Sequence, residues 1–187
     1  MSQNYLYFAY GANMATKVLE KRKVSKPLAW YPAIVVDKNI ELAFAHRGAY
    51  ATLLRRDSGK ECHSTLRFSR PYGVVYELSI EDFEKIAERE IGYEARDIQA
   101  PVLTKAFFSS FWTTLPDPMP PTHRYMSILV EGALEHGLNE EYIEWLKQVP
   151  SVETKCLADP RYSRTNAETL ARTFVLLVLV CFIKFFF

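Results

Sequence analysis

Residues 115–123 (LPDPMPPTH) contain four prolines and divide the sequence into a strand-rich part and a helical part. Proline has no backbone N–H and fixes φ, so this stretch continues neither a strand nor a helix. Before it, short apolar segments rich in aromatic and β-branched residues predict strands, clearest at residues 5–9, 40–45 and 73–78. One helix interrupts the strands after Ser79, and two helices follow the prolines. This order of elements predicts an α+β fold.

The composition limits the class of protein. A chain of 187 residues suits one domain with an appended tail, and 23 basic against 22 acidic residues give a net charge of +1. That balance argues against a chain built for electrostatic binding of nucleic acid. The three cysteines and four histidines show no metal-ligand spacing, which argues against a structural zinc site and a disulfide framework and fits a reducing compartment. The first residues lack the features of a signal peptide.

The end of the sequence is strongly apolar. We expect a domain over residues 1–155, a polar linker over 156–172 and an apolar tail over 173–187 (TFVLLVLVCFIKFFF). A buried core strand or helix is one interpretation of the tail, an erroneous gene end is another, and a membrane anchor on a cytoplasmic domain is the one we favour. As a helix the tail would span about 22 Å, less than the hydrocarbon core of about 30 Å, so anchoring would need snorkelling or local thinning of the bilayer.

One carboxylate stands out by its position along the predicted helix. Continuing the helical spacing of the apolar positions makes Glu90 the next inward residue; those positions are Ile80, Phe83, Ile86 and Ala87. Burial of an unpaired carboxylate is costly and would raise its pKa toward neutrality, which suits a general base. The alternative is that the helix has already ended, which would leave Glu90 exposed or paired with Arg96. Periodicity alone favours this alternative.

A second candidate feature is the bend after the first strand. Residues 10–13 (YGAN) place Gly11 between that strand and a helix that Asn13 would cap and that would run to about Lys23. Unpaired backbone N–H groups at such a bend can bind an anion or stabilise an oxyanion, although many strand–helix joints share the pattern. Tyr125, which follows the proline-rich stretch, could donate a hydrogen bond into a pocket, with core or rim packing as the alternative.

Taken together, these motifs resemble the γ-glutamylcyclotransferase family. Residues 6–14 (LYFAYGANM) are similar to its LYFAYGSN signature, and its catalytic glutamate, seventeen residues after the first glycine of a GVV strand, falls on Glu90. Two further segments are similar to family motifs: residues 47–53 to a GGxAT strand, and residues 120–142 to a PPxxxY…GAxExGLPxEY segment. The YGxN form resembles the branch that acts on γ-glutamyl-amino-acid dipeptides.

The resemblance implies a small mixed β-barrel with flanking helices and no metal or cofactor. It implies conversion of γ-glutamyl-amino-acid dipeptides to 5-oxoproline and a free amino acid by intramolecular aminolysis, with Glu90 as the general acid and base. The implied substrate-binding residues are Tyr7, Phe8, Ala9, Tyr10, Gly11, Ala12 and Tyr125. Two features depart from the family pattern: Ala12 in place of the usual serine, and a polar segment, residues 55–72, that is longer than expected.

The implied partners are a small γ-glutamyl dipeptide and, through the tail, a membrane, whereas nucleic acid is not expected. The sequence leaves the oligomeric state open, with a homodimer as one alternative. It also leaves a different class of function open, because one fold hosts unrelated functions. That alternative is a catalytically silent relative that binds a small metabolite or serves as a membrane-tethered interaction module. Ala12 and the tail favour it slightly, and Glu90 favours the enzyme.

Overall fold

The computed structural model describes residues 4–56 and 64–153 as a mixed α+β structure, which confirms the predicted fold class. A 3₁₀ turn at Ala12–Met14 follows the first strand. In chain order the strands and helices are β1 (Asn4–Ala9), α1 (Thr16–Lys21), β2 (Ala29–Ile34), β3 (Ile40–His46), β4 (Tyr50–Arg55), β5 (Arg67–Ser69), β6 (Tyr72–Ser79), α2 (Ile80–Ala87), β7 (Tyr93–Ala100), β8 (Val102–Ser109), α3 (His123–Glu135) and α4 (Glu140–Gln148).

The strands form two sheets, one of five strands in the order β2-β6-β1-β8-β7 and one of three in the order β4-β3-β5. Strand β1 lies in the middle of the larger sheet, antiparallel to β6 and parallel to β8. The predicted barrel is not closed. Across the described residues, the two sheets meet through side chains, and no pair of hydrogen-bonded strands joins one sheet to the other. At this junction the backbone N–H of Ser109 in β8 donates to Oγ1 of Thr52 in β4 at 2.9 Å.

Helix α2 packs on the central strand through aromatic rings. The ring of Phe83 lies 4.8 Å from that of Tyr5 and 6.1 Å from that of Tyr7, measured between centroids. The helix begins as predicted, because the side chain of Ser79 accepts a hydrogen bond from the backbone N–H of Asp82 at 3.2 Å. It ends at Ala87, so the regular helix stops before Glu90 and the extrapolated periodicity does not apply there.

The predicted helix cap at Asn13 is wrong. Helix α1 begins at Thr16 without a side-chain cap, and Asn13 lies in the 3₁₀ turn with only 5% of its surface exposed. Its amide nitrogen instead donates hydrogen bonds to the side chains of Tyr7 and Glu90. A local capping pattern was therefore overridden by tertiary contacts.

Some predictions concern segments outside the described residues. Residues 57–63 of the long polar segment belong to these, whereas its later part contains β5. The polar linker and the apolar tail also lie outside, so the division into domain, linker and tail stays a prediction. In the described part of the chain, no helix is both long and apolar enough to cross a bilayer.

Helix α3 approaches the 3₁₀ turn very closely at Gly132. A Cβ atom added to this glycine would lie 2.7 Å from the backbone N of Ala15 and 2.8 Å from Cβ of Met14. Cβ atoms essentially never lie this close to non-bonded atoms, so the helix can lie here only because the residue is glycine. The contact fixes the turn that carries Asn13.

We predict that Gly132→Ala lowers the free energy of unfolding by about 1–3 kcal/mol, because the added methyl group must push α3 away from the turn. Helix propensity alone predicts a gain of about 1 kcal/mol from this change, so the two expectations have opposite sign. Urea denaturation measures the difference. The matched control is Ser127→Ala, an exposed position on the same helix, which should be near neutral. A Gly132→Ala protein as stable as the control would contradict the close packing.

Candidate active site

The carboxylate of Glu90 faces the interior although the residue lies beyond the end of α2. Only 14% of its side chain is exposed. Its Oε1 atom lies 2.8 Å from Nη1 of Arg22 and accepts a hydrogen bond from Nδ2 of Asn13 at 2.9 Å. The alternative that the helix ends before Glu90 is therefore correct. The exposure or the pairing with Arg96 expected from it is wrong, because Glu90 pairs with Arg22 and Arg96 pairs with Glu94.

This arrangement differs from the unpaired carboxylate expected from the sequence. Arg22 caps the C-terminal end of α1, and its own side chain is 17% exposed. A guanidinium beside a partly buried carboxylate offsets the cost of removing that charge from water. Both donors approach the same oxygen, Oε1, so they hold the carboxylate from one side.

The predicted substrate-binding residues of β1 and the bend lie in different surroundings. The hydroxyl of Tyr7, which is 3% exposed, accepts a hydrogen bond from Nδ2 of Asn13 at 2.8 Å. Tyr10 is also buried and donates its hydroxyl to the backbone carbonyl of Phe107. Phe8 and Ala9 are fully buried in β1, where they pair with β6, so these two belong to the core of the sheet.

Tyr125 stands over the glycine bend from the side of α3. A Cβ atom added to Gly11 would lie 3.2 Å from its hydroxyl oxygen. That hydroxyl accepts a hydrogen bond from the backbone N–H of Ala51 at 3.2 Å. The ring meets that of Tyr50 edge-on at 4.9 Å. The structure thus brings Tyr125, Gly11 and Ala12 together.

Tyr93, which was not identified from the sequence, binds the same residue of β4, Ala51, as Tyr125 does. Its hydroxyl donates to the backbone carbonyl of Ala51 at 2.8 Å, so two tyrosines hold both backbone groups of this residue. The ring of Tyr93 stacks on that of His46 at 3.9 Å, and Nδ1 of His46 lies 2.8 Å from Oγ of Ser109. Tyr93 follows Glu90 closely in the chain, and this proximity is the sequence signal that could have indicated a place in the site.

Arg22 was missed for a different reason. It stands in the basic run EKRK at residues 20–23, which the sequence assigns to an exposed face. Nothing in such a run shows which cation turns inward.

The tyrosines near Glu90 are protonated well beyond the usual pH range. Burial raises the pKa of Tyr7, Tyr10, Tyr93 and Tyr125 above the ordinary value of 10.0, and the negative charge of Glu90 adds to the rise at each of them. At Tyr7 the hydrogen bond from Asn13 opposes the rise, and at Tyr125 those from Ala51 and Ala12 do so. These four hydroxyl groups therefore keep their protons, and each experiences the negative charge of Glu90.

Comparisons with known proteins give a family and several relatives. Residues 70–146, which include Glu90 and Tyr125, match the AIG2-like family. The chain is 26% identical over 169 residues to a Mus musculus protein named gamma-glutamylcyclotransferase, a match that covers 82% of each chain. A solved structure named gamma-glutamyl cyclotransferase is 19% identical with a TM-score of 0.58 and covers 89% of this chain and 95% of that one.

The resemblance to the γ-glutamylcyclotransferase family is confirmed. An uncharacterized Homo sapiens protein of solved structure also has this γ-glutamylcyclotransferase-like fold, at 20% identity and a TM-score of 0.59, covering 86% of this chain and 99% of that one. These solved structures show the shared fold, and the names of the relatives support the prediction of an enzyme. Within residues 4–56 and 64–153, no three His, Cys, Asp or Glu side chains come together as a ligand set for a metal ion.

We predict that the buried tyrosines make stability fall steeply at alkaline pH. Their pKa values are raised above the unfolded value of 10.0, so the folded state holds these protons more tightly. The resulting stabilisation is complete below pH 10.0 and is lost as the pH rises above it. Phenolate absorbance should therefore rise together with loss of the circular dichroism signal. In denaturant, all eleven tyrosines should titrate together near the ordinary value. Smooth titration of every tyrosine with the fold intact would contradict this expectation.

Proposed function

We propose that this chain is a γ-glutamylcyclotransferase that converts γ-glutamyl-amino-acid dipeptides to 5-oxoproline and a free amino acid. The observation that carries the proposal is the partly buried carboxylate of Glu90, which Arg22 and Asn13 hold at 2.8 and 2.9 Å. A carboxylate oriented in this way beside a glycine bend is a suitable base for an amine. The dipeptide specificity rests on the YGxN form of that bend.

The proposed reaction needs one group that both takes and returns a proton. Glu90 removes a proton from the α-ammonium group of the substrate, and the neutral nitrogen attacks the γ-carbonyl carbon. A new N–C bond closes the five-membered ring, and the C–N bond to the second amino acid breaks. Glu90 returns this proton to the leaving nitrogen and then carries a second one to it from the ring nitrogen. The ring thus closes as a neutral lactam, the amino acid leaves as an ammonium, and no proton is gained or lost overall. Because the attack is intramolecular, the protein mainly holds a folded conformation of the substrate.

The ion pair with Arg22 suits this role in two ways. It offsets the cost of keeping the charge of the carboxylate partly buried. It also occupies Oε1 together with Asn13, so the second oxygen of Glu90 is the one that can meet the amine. Fixing one oxygen orients the other, which is what proton transfer over a hydrogen-bond distance requires.

The opposite side of the site supplies a hydrogen-bond donor for the γ-carbonyl oxygen. The hydroxyl of Tyr125 lies at the glycine bend, 3.2 Å from where a Cβ atom on Gly11 would stand. Negative charge develops on the carbonyl oxygen during attack, and donors fixed beforehand stabilise it without reorganisation. Because this donor comes from Tyr125, the loss of the usual serine hydroxyl at position 12 leaves it in place.

We predict that Glu90→Gln keeps the fold but lowers turnover of γ-glutamyl-alanine by about 10²–10⁴-fold, because an amide cannot accept and return the proton. Release of 5-oxoproline measures turnover, and circular dichroism checks the fold. The control is Glu88→Gln, an exposed glutamate in the turn after α2, which should keep the wild-type rate. Near-normal release by the Glu90→Gln protein would remove Glu90 from the proposed role.

The same assay separates the proposed substrate class from its alternatives. A panel of γ-glutamyl-alanine, glutathione and γ-glutamyl-lysine should show turnover chiefly of the first. Preference for either of the others would keep the reaction and change the substrate. Wild-type protein that releases 5-oxoproline from none of them would favour the catalytically silent relative.

Membrane attachment by the tail stays a separate prediction. We expect the full chain to sediment with membranes and a chain that stops before Thr173 to remain in the supernatant, because the apolar residues 173–187 would be the anchor. Full-length chain in the supernatant would contradict attachment. Size-exclusion chromatography of the shorter chain would test the homodimer, which is likewise only a proposal.

A further inference from the structure

The amide oxygen of Asn13 is a buried acceptor that no described residue satisfies. The whole residue is 5% exposed, and Oδ1 has no hydrogen-bond donor among the described residues. The other end of the same amide makes two contacts, to the hydroxyl of Tyr7 and to Oε1 of Glu90. A buried polar atom of this kind calls for an explanation, and a ligand that binds there is one.

The contact with Glu90 fixes which end of the amide is the oxygen. An ionised carboxylate only accepts hydrogen bonds, so the atom 2.9 Å from Oε1 must be the NH₂ group. Turning the amide over would place two acceptor oxygens against each other. The unsatisfied end is therefore an oxygen, and it needs a donor.

The chemistry around Asn13 selects the kind of donor. Its nearest charged neighbour is the carboxylate of Glu90, whose Oε1 atom already pairs with Arg22 at 2.8 Å, so the second carboxylate oxygen and Oδ1 of Asn13 are the acceptors that can meet a donor. The Tyr7 hydroxyl beside it accepts the hydrogen bond of Asn13 and adds no positive charge. An alkylammonium group has three donors and no acceptor, which matches one amide oxygen next to one carboxylate.

We propose that Oδ1 of Asn13, together with Glu90, binds the α-ammonium group of the γ-glutamyl substrate. This inference rests on the proposed function and adds a binding role for a residue outside the set that the resemblance implied. Nδ2 of Asn13 orients the carboxylate, and Oδ1 holds the amine beside that carboxylate. One side chain thereby sets the distance between the base and the nitrogen that it deprotonates.

The experiment compares two ligands that differ only in the amine. The first is a γ-glutamyl dipeptide analogue in which a sulfonyl group replaces the γ-carbonyl, so the amine has no acyl carbon to attack. The second is its desamino counterpart, in which hydrogen replaces the α-amine. Calorimetry on the full chain gives the ratio of the two dissociation constants for each variant. We expect wild type to favour the amine by roughly tenfold or more, as hydrogen bonds to a charged group predict.

Two substitutions separate the two ends of the amide. Asn13→Leu removes donor and acceptor and should reduce the preference for the amine by roughly tenfold. Asn13→Asp also loses the donor to Glu90 but keeps an oxygen acceptor, so it should retain the preference while losing turnover. The control is Asn39→Leu, an exposed position in the turn before β3, which should bind both ligands as wild type does.

Each outcome bears on a different claim. A preference for the amine that survives in Asn13→Leu would overturn this inference and leave the proposed function intact. Loss of the preference in Asn13→Asp as well would show that the NH₂ end matters and not the oxygen, which also overturns it. Wild-type protein that releases no 5-oxoproline from any γ-glutamyl substrate would overturn the proposed function itself.

Discussion

The contact between the guanidinium of Arg22 and the carboxylate of Glu90 is the interaction on which the candidate site depends. It joins the end of α1 to the segment after α2, and Asn13 adds the 3₁₀ turn at the same oxygen atom. A carboxylate that is only 14% exposed would be costly without such a partner. Because three chain segments meet at Oε1, the position of the carboxylate follows from the fold and not from a flexible side chain.

The fold delivers these segments to one place through a few short elements. Strand β1 runs through the middle of the larger sheet, and its end carries the glycine bend. The antiparallel neighbour β6 leads directly into α2, whose eight residues pack back along β1 through Phe83. The short length of α2 therefore returns the chain to the bend. On the other side, Gly132 lets α3 lie against the 3₁₀ turn and bring Tyr125 to the bend.

The sequence predicted the features that depend on local signals and missed those that depend on distant partners. The helix cap at Ser79 and the strands that come before the proline-rich stretch follow from patterns within a few residues, and both appear in the structure. The amide of Asn13 matches the pattern of a helix cap but is used by Tyr7 and Glu90 instead. Arg22 could not be singled out, because its inward direction depends on a carboxylate far away in the chain. The prediction of a closed barrel was wrong for the same reason, because the way two sheets meet depends on distant partners. Here the side chain of Thr52 accepts from the backbone of Ser109 and joins the two sheets.

The chemistry of Tyr125 shows how the site can receive a carbonyl group without rearranging. Its backbone contact with Ala51 uses the phenol oxygen as an acceptor, so the O–H hydrogen can be donated to another partner. Burial raises the pKa of this hydroxyl, which keeps that hydrogen in place at neutral pH. A substrate carbonyl placed at the glycine bend would then meet a donor that is already oriented. The carboxylate of Glu90 and the hydroxyl of Tyr125 thus offer opposite functions, an acceptor for the amine and a donor for the carbonyl that this amine attacks.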